Sequence, residues 1–285
     1  SVSTMTTLLL KEAGVDVAAF LGGISRNFSS NLVLSKSPES LVVTEADEYD
    51  RSFLTLHPWL AVVTAVDADH LDIYGTHESV IEAFEAFAAN ITDGGVLLRK
   101  KGITAGDKQA GRIRIYSYSA NEKADFCACN IRIIDGTYLF DLHTPGLVIN
   151  EIQMSYPGRV NVENMVAAAS LALLAGADPL EVKRAVSTYR GVQRRFDIRF
   201  KNSKFTYIDD YAHHPTEVAA TLDAALQLKG EKINRVITVF QPHLYSRTQL
   251  HYKNFAHSLA KSDFVLLSEI YPAREEPIPG VTSGL

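Results

Sequence analysis

This sequence has few cysteines and no long apolar run. Of its 285 residues, only Cys127 and Cys129 are cysteines. They lie two residues apart in a strand-like run, so they are poorly placed to bridge each other, and two thiols alone do not make a metal site. No apolar run approaches the ~20 residues that cross a bilayer, and the first residues lack a secretory pattern. These absences favour a protein of the reducing cytoplasm with no membrane partner.

An excess of positive charge is also missing. The chain has 28 Lys and Arg residues against 33 Asp and Glu residues, a net charge of −5. Proteins that bind nucleic acid usually carry a basic surface, so this mild acidity argues against a nucleic-acid partner. A hydrophobic content of 46% with 21% charged residues is ordinary for a globular protein. The length predicts about two domains, and nothing in the sequence predicts an oligomeric state.

Both ends of the sequence look interrupted. The run from Ser1 to Leu10 is typical of a helix that ends at Gly14, yet no residue before it could cap that helix. At the other end, residues 277–285 form a turn-rich connector with no element after it. We therefore expect a fragment of a longer chain.

Apolar runs alternate with helical periods along the chain, which is typical of parallel α/β layering. The predicted strands in the first part are 41–44, 60–66 and 96–98, and the predicted helices are 77–90 and 161–175. Between about 113 and 152, short alternating segments predict a small antiparallel insertion. After a boundary near 189–195 the alternation restarts, with strands at 205–208, 236–240 and 264–267 and helices at 216–228 and 248–261. The predicted fold class is α/β, with domains at 1–190 and 191–285 and a smaller second sheet.

Carboxylates follow two of the predicted strands. Residues 45–50 contain four carboxylates, and residues 67–72 contain three together with His70. Like charges at this density repel unless a cation or a proton compensates, and hard oxygen ligands suit Mg²⁺ near phosphates. The two clusters therefore favour a metal–phosphate site, although Asp and Glu also form caps and turns. His70 is a weaker Mg²⁺ ligand and could instead contact a phosphate or cap a helix.

Polar residues also follow the strands of the second predicted sheet, where ligands of open α/β sheets bind. Residues 209–217 hold two aspartates and two adjacent histidines, more than a helix start requires, which favours a site for a polar substrate or nucleotide. In residues 241–247, His243 and Arg247 could meet an anion, although the arginine could instead pair with an acid on its own helix. Two arginines in residues 191–196 lie at the predicted boundary, where an ordinary solvated pair is the simpler interpretation.

Taken together, six segments resemble the Mur ligases. They are residues 45–48, 69–70, 157–164, 191–196, 209–215 and 241–247. The strongest discriminators are Asp-Asp-Tyr-Ala-His-His-Pro and Gln-Pro-His, and the resemblance covers essentially the whole chain. The family has a UDP-sugar domain, a central ATPase domain with a P-loop-type sheet, and a C-terminal Rossmann-like domain. The resemblance implies that this chain starts just after the P-loop and lacks the sugar domain, the P-loop lysine and threonine, and the C-terminal tail.

The resemblance assigns metal and nucleotide contacts. Glu45 would hold the Mg²⁺ shared with the phosphates of ATP, and His70 would lie at a second metal site. The residues implied to contact the nucleotide are Asn161 or Asn164, with Asn164 preferred, and Arg195 and Asp210 from the C-terminal domain.

The resemblance also assigns the side of the site where amino acid and acyl phosphate react. The residues implied there are Tyr211, His213, His243 and Arg247. The amine must be neutral to attack, so a basic group near it is expected, and His213 is our candidate.

The activity implied is that of the alanine-adding branch, which joins L-alanine to the lactyl carboxylate of UDP-N-acetylmuramate with ATP in peptidoglycan synthesis. Two alternatives stay open: a tripeptide-recycling branch, which shares 45–50 but fits 241–247 poorly, and a non-catalytic nucleotide-binding module. We expect the chain by itself to be inactive. Family members often have Arg where this chain has Leu244, which puts one anion contact in doubt. Related enzymes carry a carbamylated lysine that is absent between Asp69 and Arg99, as is common in the alanine-adding branch.

Overall fold

The structure is a computed structural model that describes residues 1–66, 74–228 and 235–285. The chain divides into two compact units. Unit 1 consists of Ser1–Tyr156 and Asn161–Arg190, and unit 2 consists of Pro157–Val160 and Gly191–Leu285. Among the helices of these described stretches, none combines the length and the apolar composition that a membrane crossing requires.

Unit 1 opens with a helix and a three-stranded sheet. Helix α1 (Val2–Glu12) ends before Gly14, whose φ of +77° confirms the predicted helix end. The strands are β1 (Val17–Ser25), β2 (Ser30–Val33) and β3 (Leu41–Thr44), in the order β2-β1-β3. β1 pairs antiparallel with β2 and parallel with β3, with Val17 opposite Leu41. β3 is confirmed, whereas β1 and β2 were not predicted.

The second sheet of unit 1 has six strands in sequence order. They are β4 (Leu60–Val63), β5 (Val96–Lys100), β6 (Arg114–Ser119), β7 (Phe126–Ile134), β8 (Thr137–His143) and β9 (Val148–Met154). β4 to β7 pair in parallel, and β7 to β9 form an antiparallel meander on the same sheet. The predicted antiparallel segment is confirmed, but it begins at β7, because β6 pairs in parallel with both of its neighbours.

Three further helices are α2 (His77–Ala89), α3 (Arg159–Leu174) and α4 (Pro179–Val186). They belong to unit 1, except for the first two residues of α3, which fall in unit 2. Thr76 caps α2 by accepting from Ser79 N, and Asp178 caps α4 ahead of a proline at its first position. Part of the core forms where Val80 and Phe87 of α2 meet Phe53 and Leu97.

Unit 2 is smaller and alternates strands with helices. Its elements are β10 (Asp197–Lys201), β11 (Thr206–Asp209), α5 (Pro215–Gln227), β12 (Ile237–Phe240), α6 (Tyr245–Leu259) and β13 (Phe264–Leu267). β12 and β13 pair in parallel, and the core packs Val218 and Leu222 against Phe240, Phe255 and Leu259. The α/β fold class is therefore confirmed. Two details differ from the prediction. β11 pairs antiparallel with β10, a strand that was not predicted. Among the described strands, β11 therefore does not share a sheet with β12 and β13, so the single second sheet that the sequence predicts is two two-stranded sheets.

Candidate active site

Glu45 is the first residue after β3, and its carboxylate lies against the start of α1. Ser3 Oγ donates to Glu45 Oε2 at 2.6 Å, and Gly22 N donates to the same oxygen at 3.4 Å. A Cβ atom added to Gly22 would lie 2.3 Å from Glu45 Oε1, so the missing side chain makes room for the carboxylate. The Glu45 side chain is 46% exposed, and the Ser1 nitrogen lies 3.9 Å from its Oε2.

The carboxylate of Asp47, two residues after Glu45, accepts a hydrogen bond from the backbone of a turn. Asp47 accepts a hydrogen bond from Tyr49 N at 3.0 Å and stabilises the turn into the 3-10 helix Tyr49–Thr55. The turn-forming interpretation therefore holds for Asp47. Residues 67–73, with His70 and the second carboxylate cluster, lie outside the described residues.

The donor chemistry of the Glu45 corner fits Mg²⁺ bound together with phosphate. Mg²⁺ in nucleotide sites is commonly held by one or two carboxylates, with phosphates and waters completing its shell. Glu45 supplies such a carboxylate and Ser3 adds a hydroxyl oxygen 2.6 Å away. Across the parts of the chain that the structure describes, no three His, Cys, Asp or Glu side chains converge on a metal position. A metal at this corner would therefore depend on ligands beyond the described protein carboxylates.

Asn161 and Asn164 share one face of α3 near its start, because residues three apart on a helix are neighbours. Both are partly buried. Between them, the buried Glu163 pairs with Lys100 at 2.7 Å and accepts from Asn121 Nδ2 at 3.4 Å. This contact ties the first turns of α3 to the carboxyl end of β5, which fixes where the two amides are presented.

A cleft of about 310 Å³ opens beside that ion pair. Its lining residues are Arg99, Lys100, Lys101, Gly102, Ile103, Thr104, Ile115, Ser117 and Asp125. Arg99 pairs with Asp107 and Lys100 with Glu163, each at 2.7 Å. Two of the three cations that line the cleft are thus engaged within unit 1.

In unit 2, Asp210 supports the loop after β11. Its two carboxylate oxygens accept from Phe196 N and Ala212 N, each at 2.7 Å. Burial raises the pKa of Asp210 above its ordinary value, although these two N–H groups and the Arg195 charge act in the opposite direction. Asp210 thus holds two backbone segments together, and its predicted contact with a nucleotide stays a prediction.

Glu217, in the first turn of α5, orders the other half of this loop. Its Oε2 accepts from His213 N at 2.9 Å and from His214 N at 3.2 Å, and Arg195 lies 3.4 Å from its Oε1. Burial would raise the pKa of Glu217, but the His213 N–H and the charges of His213 and Arg195 outweigh it and lower the pKa. Glu217 therefore brings Arg195 and His213, both of which the sequence predicts as site residues, close to each other.

His213 has a defined ring orientation. Its Nδ1 lies 2.8 Å from the carbonyl oxygen of Tyr211. A carbonyl only accepts hydrogen bonds, so this contact requires the proton on Nδ1 and leaves the Nε2 lone pair available in the neutral ring. The Tyr211 ring packs edge-on to His213 at 5.1 Å. Tyr211 and His213, both predicted site residues, therefore pack together and present one basic nitrogen, Nε2 of His213.

His243 and Arg247 join the same cluster from the loop after β12. The His243 ring centroid lies 6.1 Å from that of His213, and an Arg247 guanidinium nitrogen lies 3.5 Å from His243 Nδ1. Burial lowers the pKa of His243, and the charges of Arg247 and His213 lower it further. The structure thus brings together all four residues expected on the amino-acid side: Tyr211, His213, His243 and Arg247.

Several contacts of the site were not predicted. Tyr271 stacks on His243 at 5.5 Å, and Glu275 accepts from Ser246 N at 2.9 Å. Tyr271 and Glu275 each lie more than 25 residues beyond their partner in the sequence, so a local sequence pattern cannot predict these contacts. By contrast, the Sγ atoms of Cys127 and Cys129 lie 3.9 Å apart as free thiols, in agreement with the prediction that they form no disulfide.

Comparison with family profiles adds independent information. The Mur ligase middle domain matches residues 1–172, and the Mur ligase glutamate ligase domain matches residues 194–281. A UDP-N-acetylmuramate–L-alanine ligase of Phocaeicola vulgatus is 48% identical over 283 residues, which cover 99% of this chain and 61% of the relative. The enzyme of the same name from Porphyromonas gingivalis is 44% identical over 99% of this chain and 62% of its own length.

Among solved structures, a UDP-N-acetylmuramate–alanine ligase of Thermotoga maritima is similar with a TM-score of 0.79 at 25% identity, covering 95% of this chain and 59% of that one. The chain therefore spans about 60% of the length of the relatives that it matches. The middle-domain profile alone matches more than half of the chain. Together with the site geometry, these matches show that the chain belongs to the Mur ligase family.

Proposed function

We propose that the protein containing this chain is an ADP-forming ligase that joins L-alanine to the lactyl carboxylate of UDP-N-acetylmuramate. The observation that carries the proposal is the cluster in unit 2, where basic and aromatic side chains meet after two strands. Its members are Tyr211, His213, His243 and Arg247. The names of the relatives supply the substrates, and a cytoplasmic location is part of the proposal.

In this proposal, unit 1 handles the phosphates of ATP. Glu45 and Ser3 would hold Mg²⁺, which supplies positive charge against the phosphate oxygens. The start of α1 adds backbone N–H groups with the favourable helix-dipole direction for an anion. His70 is proposed at a second metal position. The proposed nucleotide contacts are Asn161 or Asn164, Arg195 and Asp210.

A carboxylate is a poor acyl donor, so the reaction needs activation. A lactyl carboxylate oxygen attacks the γ-phosphorus of ATP, ADP leaves, and an acyl phosphate forms. The neutral amine of L-alanine then attacks the acyl carbon, and inorganic phosphate leaves the tetrahedral intermediate. Such steps depend mainly on positioning and charge neutralisation, which basic side chains provide.

The unit 2 cluster supplies the groups for the second step. The Arg247 guanidinium can hold the α-carboxylate of L-alanine through two parallel hydrogen bonds. The Nε2 lone pair of His213 can receive the amine proton, because Nδ1 is committed to the Tyr211 carbonyl. His243, whose pKa is lowered, stays neutral near pH 7 and can share hydrogen bonds without adding charge.

The first test is an ADP-release assay. It uses a protein of the relatives' length that contains this chain, called the full-length protein below. We expect ADP release only when both UDP-N-acetylmuramate and L-alanine are present. No release with both substrates present would overturn the proposal. Preference for a murein tripeptide over free alanine would indicate the recycling ligase, and ATP binding without turnover would indicate a non-catalytic module.

The second test addresses Glu45. Glu45→Gln keeps the size of the side chain but removes the charge that a divalent cation needs, so we expect a higher Mg²⁺ requirement for ADP release. Glu39→Gln changes another exposed glutamate of unit 1 and serves as the matched control. An unchanged Mg²⁺ dependence in Glu45→Gln would remove Glu45 from the metal site.

A further inference from the structure

The segment Glu269–Glu275, which follows β13, lies along the loop that carries His243. Gln241 Nε2 donates to Glu269 O at 3.2 Å. Tyr271 N donates to Pro242 O at 2.8 Å, and Leu244 N donates to Tyr271 O at 3.0 Å. These contacts continue the parallel pairing of β12 and β13 past the strand ends. The backbone on both sides of His243 is therefore fixed by a segment nearly 30 residues away.

Helix α6, which carries Arg247 in its first turn, has no cap of its own. Leu244 occupies the N-cap position with a φ of +71°, and it makes no side-chain hydrogen bond to the helix. A leucine has no acceptor for the free N–H groups at a helix start, and a positive φ is costly for it. The sequence at the start of α6 therefore cannot by itself hold this turn in place.

Glu275 supplies the missing cap. Its Oε2 accepts from Ser246 N at 2.9 Å, its Oε1 accepts from Ser246 Oγ, and the Tyr245 N–H also bonds to the carboxylate. A carboxylate at this end of a helix satisfies free N–H groups and complements the helix dipole. Arg247 is the next residue along, so the contact that fixes Ser246 also fixes the direction of Arg247.

We propose that Glu275 is a positioning residue, which caps α6 in trans and thereby sets the separation of Arg247 and His243. This inference rests on the proposed function only for its kinetic consequences. Glu275 itself need not touch a substrate, because it acts through Ser246 on Arg247 and through the shared segment on Tyr271 and His243. Loss of the carboxylate would let the first turn of α6 fray while the rest of unit 2 keeps its core.

The kinetic test compares three variants of the full-length protein. Glu275→Ala removes the cap, and we expect KM for L-alanine to rise roughly tenfold, as the loss of a cap implies, with KM for ATP unchanged. Glu275→Gln keeps an acceptor oxygen for the same N–H groups and should restore most of the affinity for L-alanine. Glu276→Ala changes the exposed neighbour and should behave as wild type.

Three kinetic outcomes would overturn the proposal. The first is an unchanged KM for L-alanine in Glu275→Ala. The second is an equal rise in KM for ATP and for L-alanine, which indicates general destabilisation. The third is failure of Glu275→Gln to rescue, because the amide oxygen can still cap the turn.

A second measurement does not need turnover, so it separates this inference from the proposed function. NMR spectra of the 285-residue chain should show shifted signals for the Arg247 side chain and the His243 ring in Glu275→Ala, but not in Glu276→Ala. If the full-length protein has no ligase activity and these shifts are still seen, the proposed function fails and the positioning role stands. Unmoved Arg247 and His243 signals would overturn the positioning role in either case.

Discussion

Strand β5 of unit 1 and strands β12 and β13 of unit 2 differ sharply in burial. In β5 of unit 1, Val96, Leu97 and Leu98 are completely buried. In β13 of unit 2, Leu266 is 59% exposed, and in β12 Val239 is 74% exposed. All five residues are apolar and belong to parallel strands, so composition does not cause the difference. The difference lies in the elements that pack around each strand. β5 lies inside a six-stranded sheet that packs against α2. Among the described strands, β12 and β13 pair only with each other.

The chemical groups are distributed in the opposite way. In unit 1 the candidate Glu45 carboxylate accepts from Ser3 Oγ and Gly22 N, and its side chain is half exposed. In unit 2 the candidate residues contact one another and are fixed by Glu217, Asp210 and Tyr271. The comparison teaches that, among the described residues, most of the apolar core lies in unit 1, whereas the candidate side chains that contact one another lie in unit 2.

The largest effect is expected from the core of unit 1. Leu98→Ala would remove a completely buried side chain from β5 and should lower the free energy of unfolding of unit 1 by about 2–5 kcal/mol. Urea unfolding followed by circular dichroism measures this. The histidine NMR signals of unit 2 should stay in place below the transition. A loss below about 1 kcal/mol would break the comparison, since core truncations of this kind cost more.

The next effect concerns the chemistry of unit 2. Arg247→Lys keeps the charge but replaces the planar guanidinium by a compact ammonium, so we expect kcat/KM for L-alanine in the full-length protein to fall about 100-fold. Arg199→Lys is the matched control, because Arg199 is not a member of the cluster and instead pairs with Asp197, with 3.4 Å between the charged atoms. Equal activity of the two lysine variants would show that the cluster does not bind the amino acid.

A smaller effect is expected from pH. Burial lowers the pKa of His243 and of His251, and the charge of Arg247 also lowers both. The folded state then binds fewer protons than the unfolded state below pH ~6.5, so protonation favours unfolding and this contribution destabilises unit 2 as the pH falls. Histidine NMR titration should show both rings titrating below the ordinary value. His251→Gln should show a smaller loss of stability than wild type between about pH 7.5 and pH 5.5, and an identical loss would contradict the expected direction.

The smallest effect on stability is expected at an exposed position of β12, which we compare with a buried position of β4. Val239→Thr changes a largely exposed residue and keeps the β-branch, so its unfolding free energy should stay within about 0.5 kcal/mol of wild type. Val63→Thr makes the same change at a buried position of β4 and should cost about 1–3 kcal/mol, because it buries a hydroxyl. Urea denaturation measures both. Equal costs would show that Val239 is covered in solution.

Much of this architecture follows from local sequence patterns. Apolar runs and helical periods predict β3, β5, β12, α2 and α6. The rule that ligands bind beyond strand ends singles out residues 209–217 and 241–247, which meet in the structure through His213 and His243. β1 was not predicted because Gly22 and Gly23 interrupt its apolar pattern. β10 was missed although its charged and apolar residues alternate, which is itself typical of a strand. An apolar run also predicts a strand without predicting its burial, as β13 shows.

The candidate site is predictable only in part, for a physical reason. His213 and His243 each follow a strand, and the structure brings their rings to 6.1 Å although β11 and β12 belong to different two-stranded sheets among the described strands. The contacts that orient them do not follow from topology, because Tyr271 and Glu275 arrive from a segment without regular secondary structure. Which side chains touch the nucleotide depends on the ligand itself, so the roles of Asn161, Asn164, Arg195 and Asp210 stay predictions.

Gly22 contributes no functional group, yet its missing methyl group defines the space that Glu45 occupies. An alanine there would displace only the end of a flexible side chain, so the protein should fold normally while the carboxylate moves away. At Gly146, where a Cβ atom meets nothing within 4 Å, alanine should have no such effect. A screen of substitution tolerance that accepts alanine at Gly146 but rejects it at Gly22 would therefore reveal the importance of this acidic corner without altering a single charge.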